Sequence, residues 1–290
     1  MAIRIAIANQ KGGVGKTTTT VNMAAYAAIA GLRVLVVDND PQGNASSALA
    51  PEYDGPSIYG GGAPQTTSAH GLEIIAAGQD LGAQQEQLVR RADGDSVLTV
   101  KLRQFDDRYD LVFIDCPPSL ATLPRNALVA ARHVLVPIQC EYYAMEGLGQ
   151  ILSEIDDLIQ RGRSTGHQTH LLLTMFDARI PFCCQVAQEI ERHCQFATLS
   201  TRIPRDIALA AAPSHNHSII DHDPLSPGAL GYLSATKELL QRLDAELQHN
   251  KNSQPGPTGI GPTTQPIHIH EHDEQWTPAH EENNSDGHAR

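Results

Sequence analysis

The stretch NQKGGVGKTTTT, residues 9–20, constrains the fold most, because it lies between an apolar run and an alanine-rich helical pattern. Its GKT segment matches the end of the phosphate-binding pattern G-x-x-x-x-G-K-[ST]. Gln10 occupies the place of the first glycine, and Lys11 adds a second lysine to the loop. A strand, a glycine-rich loop and a helix in this order predict a βα unit whose helix N-terminus faces a phosphate group.

Short apolar runs alternate with longer helical patterns along much of the chain. Each run is rich in β-branched residues and is followed by a polar turn, which is typical of buried strands. Parallel neighbours need a crossover connection, which a helix usually provides. The alternation therefore predicts an α/β fold, with a doubly wound, mostly parallel sheet flanked by helices. The five predicted strands are residues 3–9, 33–38, 109–115, 133–139 and 170–176.

Glycine and proline mark the ends of the helical patterns. The helix over residues 16–31 is predicted to end at Gly31, and the helix over residues 146–162 at Gly162, since glycine commonly closes helices. Another helix is predicted to begin at Pro181, because proline is favoured in the first helical turn.

A leucine-rich helix is predicted over residues 228–248. Membrane-lying helices are usually richer in Lys, Arg and bulky aromatic residues, so we expect the apolar stripe of this helix to dock on the sheet. The expected stripe consists of Leu230, Leu233, Leu240, Leu243 and Leu247.

Two segments lack the pattern of a packed core. Residues 51–71 are rich in glycine and proline, which predicts a long surface loop. Residues 250–290 are polar, acidic and interrupted by proline and glycine, so we predict one domain over residues 1–249 and a disordered, histidine-containing tail. The tail offers either a weak chelating cluster for Zn²⁺ or Ni²⁺ or a solvated, pH-sensitive segment. Its alternating histidines are His268, His270 and His272, and its one tryptophan, Trp276, is a candidate for a short linear contact.

Composition argues against several classes of protein. The formal net charge of −12 is unlike that of a strongly basic nucleic-acid-binding protein. No run reaches the ~18 apolar residues that span a bilayer, and the N-terminus lacks the pattern of a signal peptide, so a cytoplasmic protein is predicted. The 5 cysteines show no C-x-x-C spacing, so we predict neither a disulfide framework nor a structural zinc site.

The glycine-rich loop has the residue types that hold a nucleotide triphosphate. Gly12, Gly13 and Gly15 allow backbone N–H groups to close around phosphate oxygens. Lys16 then supplies a positive charge to the β and γ phosphates, and Thr17 supplies a hydroxyl group to Mg²⁺. A glycine-rich turn with a purely structural purpose is the alternative, but the position between a strand and a helix favours the phosphate interpretation.

Carboxylates follow two of the predicted strands. Asp115 ends the third strand, the usual place of a carboxylate that holds Mg²⁺ through water, although an aspartate in a turn is also common for structural reasons. Asp38 and Asp40 follow the second strand, at the same sheet edge as the loop. Asp40 precedes Pro41 and heads a turn, so it is a candidate for orienting water near the γ phosphate.

Together these motifs resemble the ParA/Soj partition ATPases, a deviant Walker A family in the wider group that includes MinD. The resemblance extends from Ile3 to about Gln248. It implies ATP and Mg²⁺ as cofactors, partner-stimulated hydrolysis of ATP and a homodimer in the ATP state. Lys11 stands at the position of the family's signature lysine, which reaches the phosphates of the other subunit. The motifs are KGGVGKTT, DNDPQGNAS, IDCPPSL, PIQCEYYAMEGL, LLTMFDAR and IPRDIALAAAPSH.

The resemblance also implies roles for single residues. Lys11, Lys16 and Asp40 are the expected catalytic residues, with Asp40 positioning the attacking water. Thr17 is expected to contact Mg²⁺ directly, and Asp115 to hold it through water. The expected ATP-binding residues are Lys11, Gly12, Gly13, Val14, Gly15, Lys16, Thr17 and Thr18, with Phe176, Asp177, Pro204 and Asp206 at the adenine.

One departure from the family concerns DNA. Lys and Arg contacts to phosphate supply essentially all nonspecific DNA binding. Between Ser200 and His249, however, four basic side chains stand against six acidic ones. We therefore expect weak DNA binding, with Arg202 and Arg205 as the contacts. Family positions that often carry Arg or Lys are here Ala208, His217, Leu225 and Pro227.

The favoured function is an ATP-dependent, dimerising ATPase that partitions or positions intracellular cargo, with a ParB-like protein or another cargo adaptor as its partner. The main alternative is a nucleotide switch that positions a protein assembly with little DNA contact. A MinD-like membrane-associated ATPase is expected to end in a basic amphipathic helix, whereas the last residues here are acidic. An iron–sulfur carrier of the superfamily is expected to contain C-x-x-C, which this sequence lacks.

Overall fold

The computed structural model describes residues 1–119, 121–164, 166–194 and 197–253. The described strands are β1 (Ile3–Ile7), β2 (Val34–Asp38), β3 (Gln65–Thr66), β4 (Leu72–Ile75), β5 (Leu111–Asp115), β6 (His133–Gln139), β7 (Gln168–Phe176) and β8 (Ala197–Pro204). They form one sheet in the order β3-β4-β2-β5-β1-β6-β7-β8. All neighbours are parallel except β3 and β4, which are antiparallel. The predicted fold class is therefore confirmed.

All five predicted strands are present, as β1, β2, β5, β6 and β7. Their residues are buried almost throughout, because helices cover both faces of a parallel sheet. β3, β4 and β8 were not predicted. In β8, which lies at a sheet edge, Leu199 and Ile203 are buried and polar residues separate them. Such a segment lacks the continuous apolar run of the central strands.

The described helices are α1 (Lys16–Ile29), α2 (Asn44–Leu49), α3 (Leu81–Val89), α4 (Val97–Leu102), α5 (Thr122–Ala130), α6 (Ala144–Gln160), α7 (Pro181–His193), α8 (Ile207–Ala211), α9 (Ile219–His222) and α10 (Pro227–Ser253). The predicted helix ends are confirmed. Gly31 (φ 88°) and Gly162 (φ 66°) lie just beyond α1 and α6 in the left-handed conformation that glycine tolerates best. Pro181 is the first residue of α7.

Alternate residues of the central strands point into two separate cores. Ala6 and Val37 belong to the core that contains apolar residues of α3 to α7. Ile7 and Val36 belong to the core on the other face, which α1, α2, α9 and α10 complete. Because the strands that form these two cores are parallel, the turns at their carboxyl ends lie on one edge of the sheet.

The predicted leucine stripe of α10 is wrong in part. Leu243 and Leu247 are buried, but Leu230 is 50% exposed and Leu233 is 46% exposed. A different face of the helix, with both small and large residues, is buried in their place. The buried face near the start of α10 consists of Ala229, Tyr232, Ala235, Thr236 and Leu239.

The segment predicted as a surface loop, residues 51–71, is more closely packed than expected. It contains β3, and both Ile58 and Tyr59 are buried. The Tyr59 hydroxyl donates a hydrogen bond to Asn39 Oδ1 at 2.9 Å, directly after β2. This part of the chain therefore supports the carboxyl end of β2.

α10 continues to Ser253, past residue 249, where the sequence predicted the domain to end. The histidine and tryptophan predictions for the tail lie outside the described residues. Within the part of the chain that the structure describes, none of the helices is both long enough and apolar enough to cross a membrane.

Candidate functional site

The glycine-rich loop joins β1 to α1 and depends on left-handed backbone conformations. Gly13 has φ 74°, and Gly15, which caps α1, has φ 89°. Other residues adopt this region at a cost of roughly 1–2 kcal/mol each, so glycine is favoured at both places. The Thr174 hydroxyl on β7 donates to the Val14 carbonyl at 2.8 Å and fixes the loop to the sheet. The free N–H groups at the start of α1 therefore face a well-defined space.

Lys16 lies inside this loop and is only 7% exposed. Its ammonium group donates a hydrogen bond to the Lys11 carbonyl at 3.0 Å. Burial lowers the pKa of Lys16, while the nearby Asp115 and Asp40 carboxylates raise it. The loop thus holds a buried ammonium group that donates to a backbone carbonyl and lies in the field of two carboxylates.

Asp115 and Asp38 end the neighbouring strands β5 and β2 and face each other in the sheet register. Asp115 accepts hydrogen bonds from the hydroxyl groups of Thr17 (2.7 Å) and Thr20 (3.0 Å). Asp38 accepts bonds from the backbone N–H (2.7 Å) and the hydroxyl (2.6 Å) of Ser46. The two carboxylates therefore lie side by side, each held by residues of a neighbouring helix.

The third carboxylate, Asp40, is 5% exposed and begins the turn after β2. Its backbone N–H donates to Asp38 Oδ1 at 3.1 Å. Its own Oδ1 accepts the N–H of Gln42 at 2.9 Å. The sequence correctly placed these three aspartates and the loop at one sheet edge.

Burial raises the pKa of Asp115 to about 8, and the neighbouring Asp38 carboxylate adds to the effect. Burial likewise raises the pKa of Asp38, to about 6. Buried carboxylates so close together are stabilised by a cation between them. Carboxylate and hydroxyl oxygens are the ligand types that Mg²⁺ prefers. The residues present therefore fit a magnesium ion held beside Thr17.

These pKa shifts predict a pH dependence of stability. A carboxyl group with a raised pKa in the folded chain stabilises folding while protonated and loses that contribution as the pH rises through the folded value. In EDTA and without nucleotide, the melting temperature is therefore expected to fall between about pH 4 and pH 8 as Asp38 and Asp115 ionise. In a domain of this size, each kcal/mol of stability lost lowers the melting temperature by about 2–4 °C.

Asp115 has a larger pKa shift than Asp38. Asp115→Asn removes this titrating group, so the variant is expected to show a flatter profile of melting temperature against pH. Differential scanning calorimetry of both proteins in the same buffers measures the difference. Parallel profiles for the wild type and the variant would contradict the assignment of the shift to Asp115.

The second lysine, Lys11, lies nearer the surface. Its ammonium group forms an ion pair with Glu141 Oε2 at 2.7 Å, and the two side chains are 30% and 48% exposed. Its backbone N–H donates to Asn9 Oδ1 at 3.0 Å. The sequence did not predict Glu141 as a partner of this loop, because 130 positions separate the two residues.

A cavity of about 410 Å³ adjoins the loop. Gly15 and Thr18 form one wall, and the predicted residues Pro204 and Asp206 form part of another. Phe176 and Asp177 are not among its lining residues. Phe176 lies under the Arg202 guanidinium, 4.5 Å from its ring centre, and Asp177 pairs with Arg179 at 2.8 Å. Lining residues that the sequence did not indicate are Thr174, Met175, Ile203, Ile207, Leu209, Ala210 and Tyr232.

Asp206 shapes this cavity by joining two helices. Its Oδ1 accepts the N–H of Ala208 at 2.9 Å and caps α8, while its Oδ2 accepts the N–H of Gly228 at 2.7 Å near the start of α10. Tyr232 of α10 reaches the same wall, where its hydroxyl lies 3.0 Å from Thr19 Oγ1. Asp206 thus connects α8 to α10, and Tyr232 connects α10 to α1, the helix that follows the glycine-rich loop.

The two arginines expected to contact DNA have different surroundings. Arg202 pairs with Glu191 at 2.7 Å and also lies over Phe176. Arg205 lines the cavity beside the loop. The charge of Arg202 is therefore partly offset within the chain.

Comparisons with known proteins identify the family of the chain. A family model described as an AAA domain matches residues 2–167. The chain is 43% identical over 249 residues to the sporulation initiation inhibitor protein Soj of Bacillus subtilis, covering 81% of this chain and 97% of that protein. It is 42% identical over 246 residues to the chromosome-partitioning ATPase Soj of Thermus thermophilus, covering 83% and 96% respectively.

Among solved structures, cobyrinic acid a,c-diamide synthase from Mycobacterium smegmatis, with a bound ATP analogue and magnesium, superposes with a TM-score of 0.73. It is 32% identical, and the match covers 85% of this chain and 97% of that one. The doubly wound sheet, the loop and its aspartates define a P-loop nucleotide-binding protein. Within that class, the chain belongs to the Soj/ParA family of chromosome-partitioning ATPases.

Proposed function

We propose that this protein binds ATP with Mg²⁺, dimerises through the bound nucleotide, and couples hydrolysis to the partition or positioning of intracellular cargo. The observation that carries the proposal is the pair of lysines in one loop. Lys16 is buried among carboxylates, whereas Lys11 lies at the surface on the same loop. These two environments support different roles: Lys16 serves the nucleotide of its own chain, and Lys11 leaves its present contacts to serve the nucleotide of a second chain.

Different residues of the loop bind different parts of the nucleotide. The N–H groups around Gly12, Gly13 and Gly15 receive the phosphate oxygens, and Lys16 turns from the Lys11 carbonyl toward the β and γ phosphates. Thr17 and Asp115 share a hydrogen bond of 2.7 Å; Thr17 would hold Mg²⁺ through its hydroxyl group, and Asp115 would hold it through water. Bound Mg²⁺ neutralises charge on the phosphates.

Asp40 orients the attacking water through the carboxylate oxygen that does not cap its turn. The adenine occupies the cavity of about 410 Å³, where Thr18, Pro204 and Asp206 line the walls. Phe176 ends β7 and Asp177 follows it, directly after the cavity-lining residues Thr174 and Met175, and both remain proposed contacts of the base.

The partner is proposed to be a ParB-like protein or another cargo adaptor that stimulates hydrolysis. Nonspecific DNA binding through Arg202 and Arg205 is proposed to be weak. The pairing of Arg202 with Glu191 at 2.7 Å favours the second candidate, a nucleotide switch that positions a protein assembly with little DNA contact. Both candidates share the same nucleotide site and the same dimer.

Lys11→Ala tests the proposal. The variant is expected to bind ATP like the wild type but to remain monomeric, because it lacks the charge that would reach the other subunit. Two charge-assisted phosphate contacts are lost per dimer, so dimer affinity is expected to fall by a factor of about 100 or more. Sedimentation velocity with a non-hydrolysable ATP analogue and Mg²⁺ measures the effect.

Lys237→Ala is the matched control, since Lys237 is an exposed lysine on α10, away from the loop. It is expected to leave the dimer unchanged. An intact Lys11→Ala dimer with normal hydrolysis would mean that the second lysine is incidental.

A further inference from the structure

Lys11 is held at three points, all within its own chain. Its side chain pairs with Glu141 at 2.7 Å, its N–H donates to Asn9 at 3.0 Å, and its carbonyl accepts the Lys16 ammonium at 3.0 Å. The residue proposed to act on a second subunit is therefore fixed in a position that serves neither nucleotide.

Glu141 is itself positioned for this contact. It follows β6 by two residues, and its N–H donates to the Gln139 carbonyl at 2.8 Å in a tight turn. The Gln139 side-chain amide donates to Glu141 Oε1, so Oε2 is the oxygen that faces Lys11. Both carboxylate oxygens are thus engaged, and the side chain is held toward the glycine-rich loop.

The two lysines are linked through the backbone of the loop. When Lys16 turns toward phosphate, the Lys11 carbonyl loses its ammonium partner, but the Glu141 ion pair stays. Lys11 must then leave a single carboxylate before it can reach the phosphates of another chain. Triphosphate carries more negative charge than one carboxylate, so the transfer is favourable only when a second nucleotide-bound copy is near.

We propose that Glu141 is a positioning residue that holds Lys11 against its own chain and so competes with insertion of Lys11 into a second subunit. This inference rests on the proposed function, because it assumes the trans role of Lys11. The ion pair raises the concentration at which the ATP-bound chain dimerises.

The expected effect of Glu141 on dimer affinity is limited by the solvent exposure of the Lys11–Glu141 ion pair. Ion pairs as accessible as this one change an equilibrium by about 1.5- to 5-fold. A symmetric dimer would release two such pairs, so the combined effect on the dimer dissociation constant is about 2- to 25-fold.

The test compares Glu141→Gln with the wild type by sedimentation velocity, using a non-hydrolysable ATP analogue and Mg²⁺. The variant is expected to dimerise about 2- to 25-fold more tightly. Glu146→Gln is the matched control, because Glu146 is exposed near the start of α6 and carries the same charge. It is expected to resemble the wild type. Equal affinity of wild type and Glu141→Gln, or equal tightening by both variants, would overturn the inference.

Three further measurements separate positioning from a structural effect. Raising the salt concentration is expected to shrink the difference between Glu141→Gln and wild type, since the pair is electrostatic. Adding Glu141→Gln to the Lys11→Ala variant is expected to leave its dimer affinity unchanged, because the ammonium group that Glu141 would hold is already absent.

The Lys11 amine is expected to be acetylated by acetic anhydride faster in Glu141→Gln than in wild type. Mass spectrometry on the nucleotide-free chain measures this rate. An acetylation rate equal to that of the wild type would overturn the inference, and this outcome does not depend on whether the chain dimerises.

The same data distinguish this inference from the proposed function. A wild-type chain that stays monomeric with the ATP analogue would overturn both, since no trans contact would exist. A wild-type dimer whose affinity does not respond to Glu141→Gln would overturn only the role of Glu141.

Discussion

Asp40→Ala is expected to lower the rate of ATP hydrolysis by about 100-fold or more while ATP remains bound, because base and water-orienting effects are of that size. The carboxylate is buried, and Gln42 fixes it in one orientation at 2.9 Å. Since Lys11 and Lys16 are untouched, the ATP-bound dimer is expected to accumulate. Single-turnover hydrolysis, nucleotide affinity and sedimentation are the three measurements.

Two comparisons separate chemistry from packing. Asp40→Asn keeps an oxygen for the Gln42 N–H but removes the charge, so it is expected to lose hydrolysis almost as fully as Asp40→Ala. Asp107→Ala removes an exposed aspartate that precedes the opposite end of β5, and it is expected to leave hydrolysis unchanged. Turnover near wild type in both Asp40 variants would exclude Asp40 as the water-orienting residue.

The parts of the site that the sequence predicted depend on short-range rules. Gly13 and Gly15 predict left-handed backbone conformations within one loop. Asp38 and Asp115 mark the carboxyl ends of two apolar strands. In a parallel sheet, those ends must lie on one edge. The sequence therefore predicts that the three aspartates lie at the same sheet edge as the loop.

The parts that were missed depend on contacts between distant segments. Glu141 lies far from Lys11 in the chain and meets it only because β6 is the neighbour of β1 in the sheet. Tyr232 reaches Thr19 only because α10 crosses back over α1. No local pattern contains the strand order or the crossing of helices, so neither contact was predictable.

The error in the leucine stripe has a related cause. Hydrophobicity alone favoured Leu230 and Leu233, yet Ala229 and Tyr232 face the core. The backbone of α10 approaches β8 and α1 closely at this point, and the Tyr232 hydroxyl needs a buried partner, Thr19. The distance between α10 and its neighbours β8 and α1 decides which face of the helix is buried. A single sequence does not reveal that distance.

Lys16→Met is the second variant for which we expect a large effect. It keeps an apolar stem of similar length but removes the buried cation of the loop. Entering phosphates would then meet Asp40 and Asp115 without a positive charge between them. Charge-assisted hydrogen bonds contribute about 1.5–3 kcal/mol each, so with the added repulsion the dissociation constant for ATP is expected to rise by about 100-fold or more.

Isothermal titration calorimetry of ATP at fixed Mg²⁺ measures this loss, and thermal unfolding shows whether the variant is folded. Lys237→Met, on the exposed face of α10, is expected to bind ATP like the wild type. A Lys16→Met protein that is folded and binds ATP with wild-type affinity would show that the loop holds phosphate through its backbone alone. Lys16 would then be a structural lysine whose ammonium group serves the Lys11 carbonyl, 3.0 Å away.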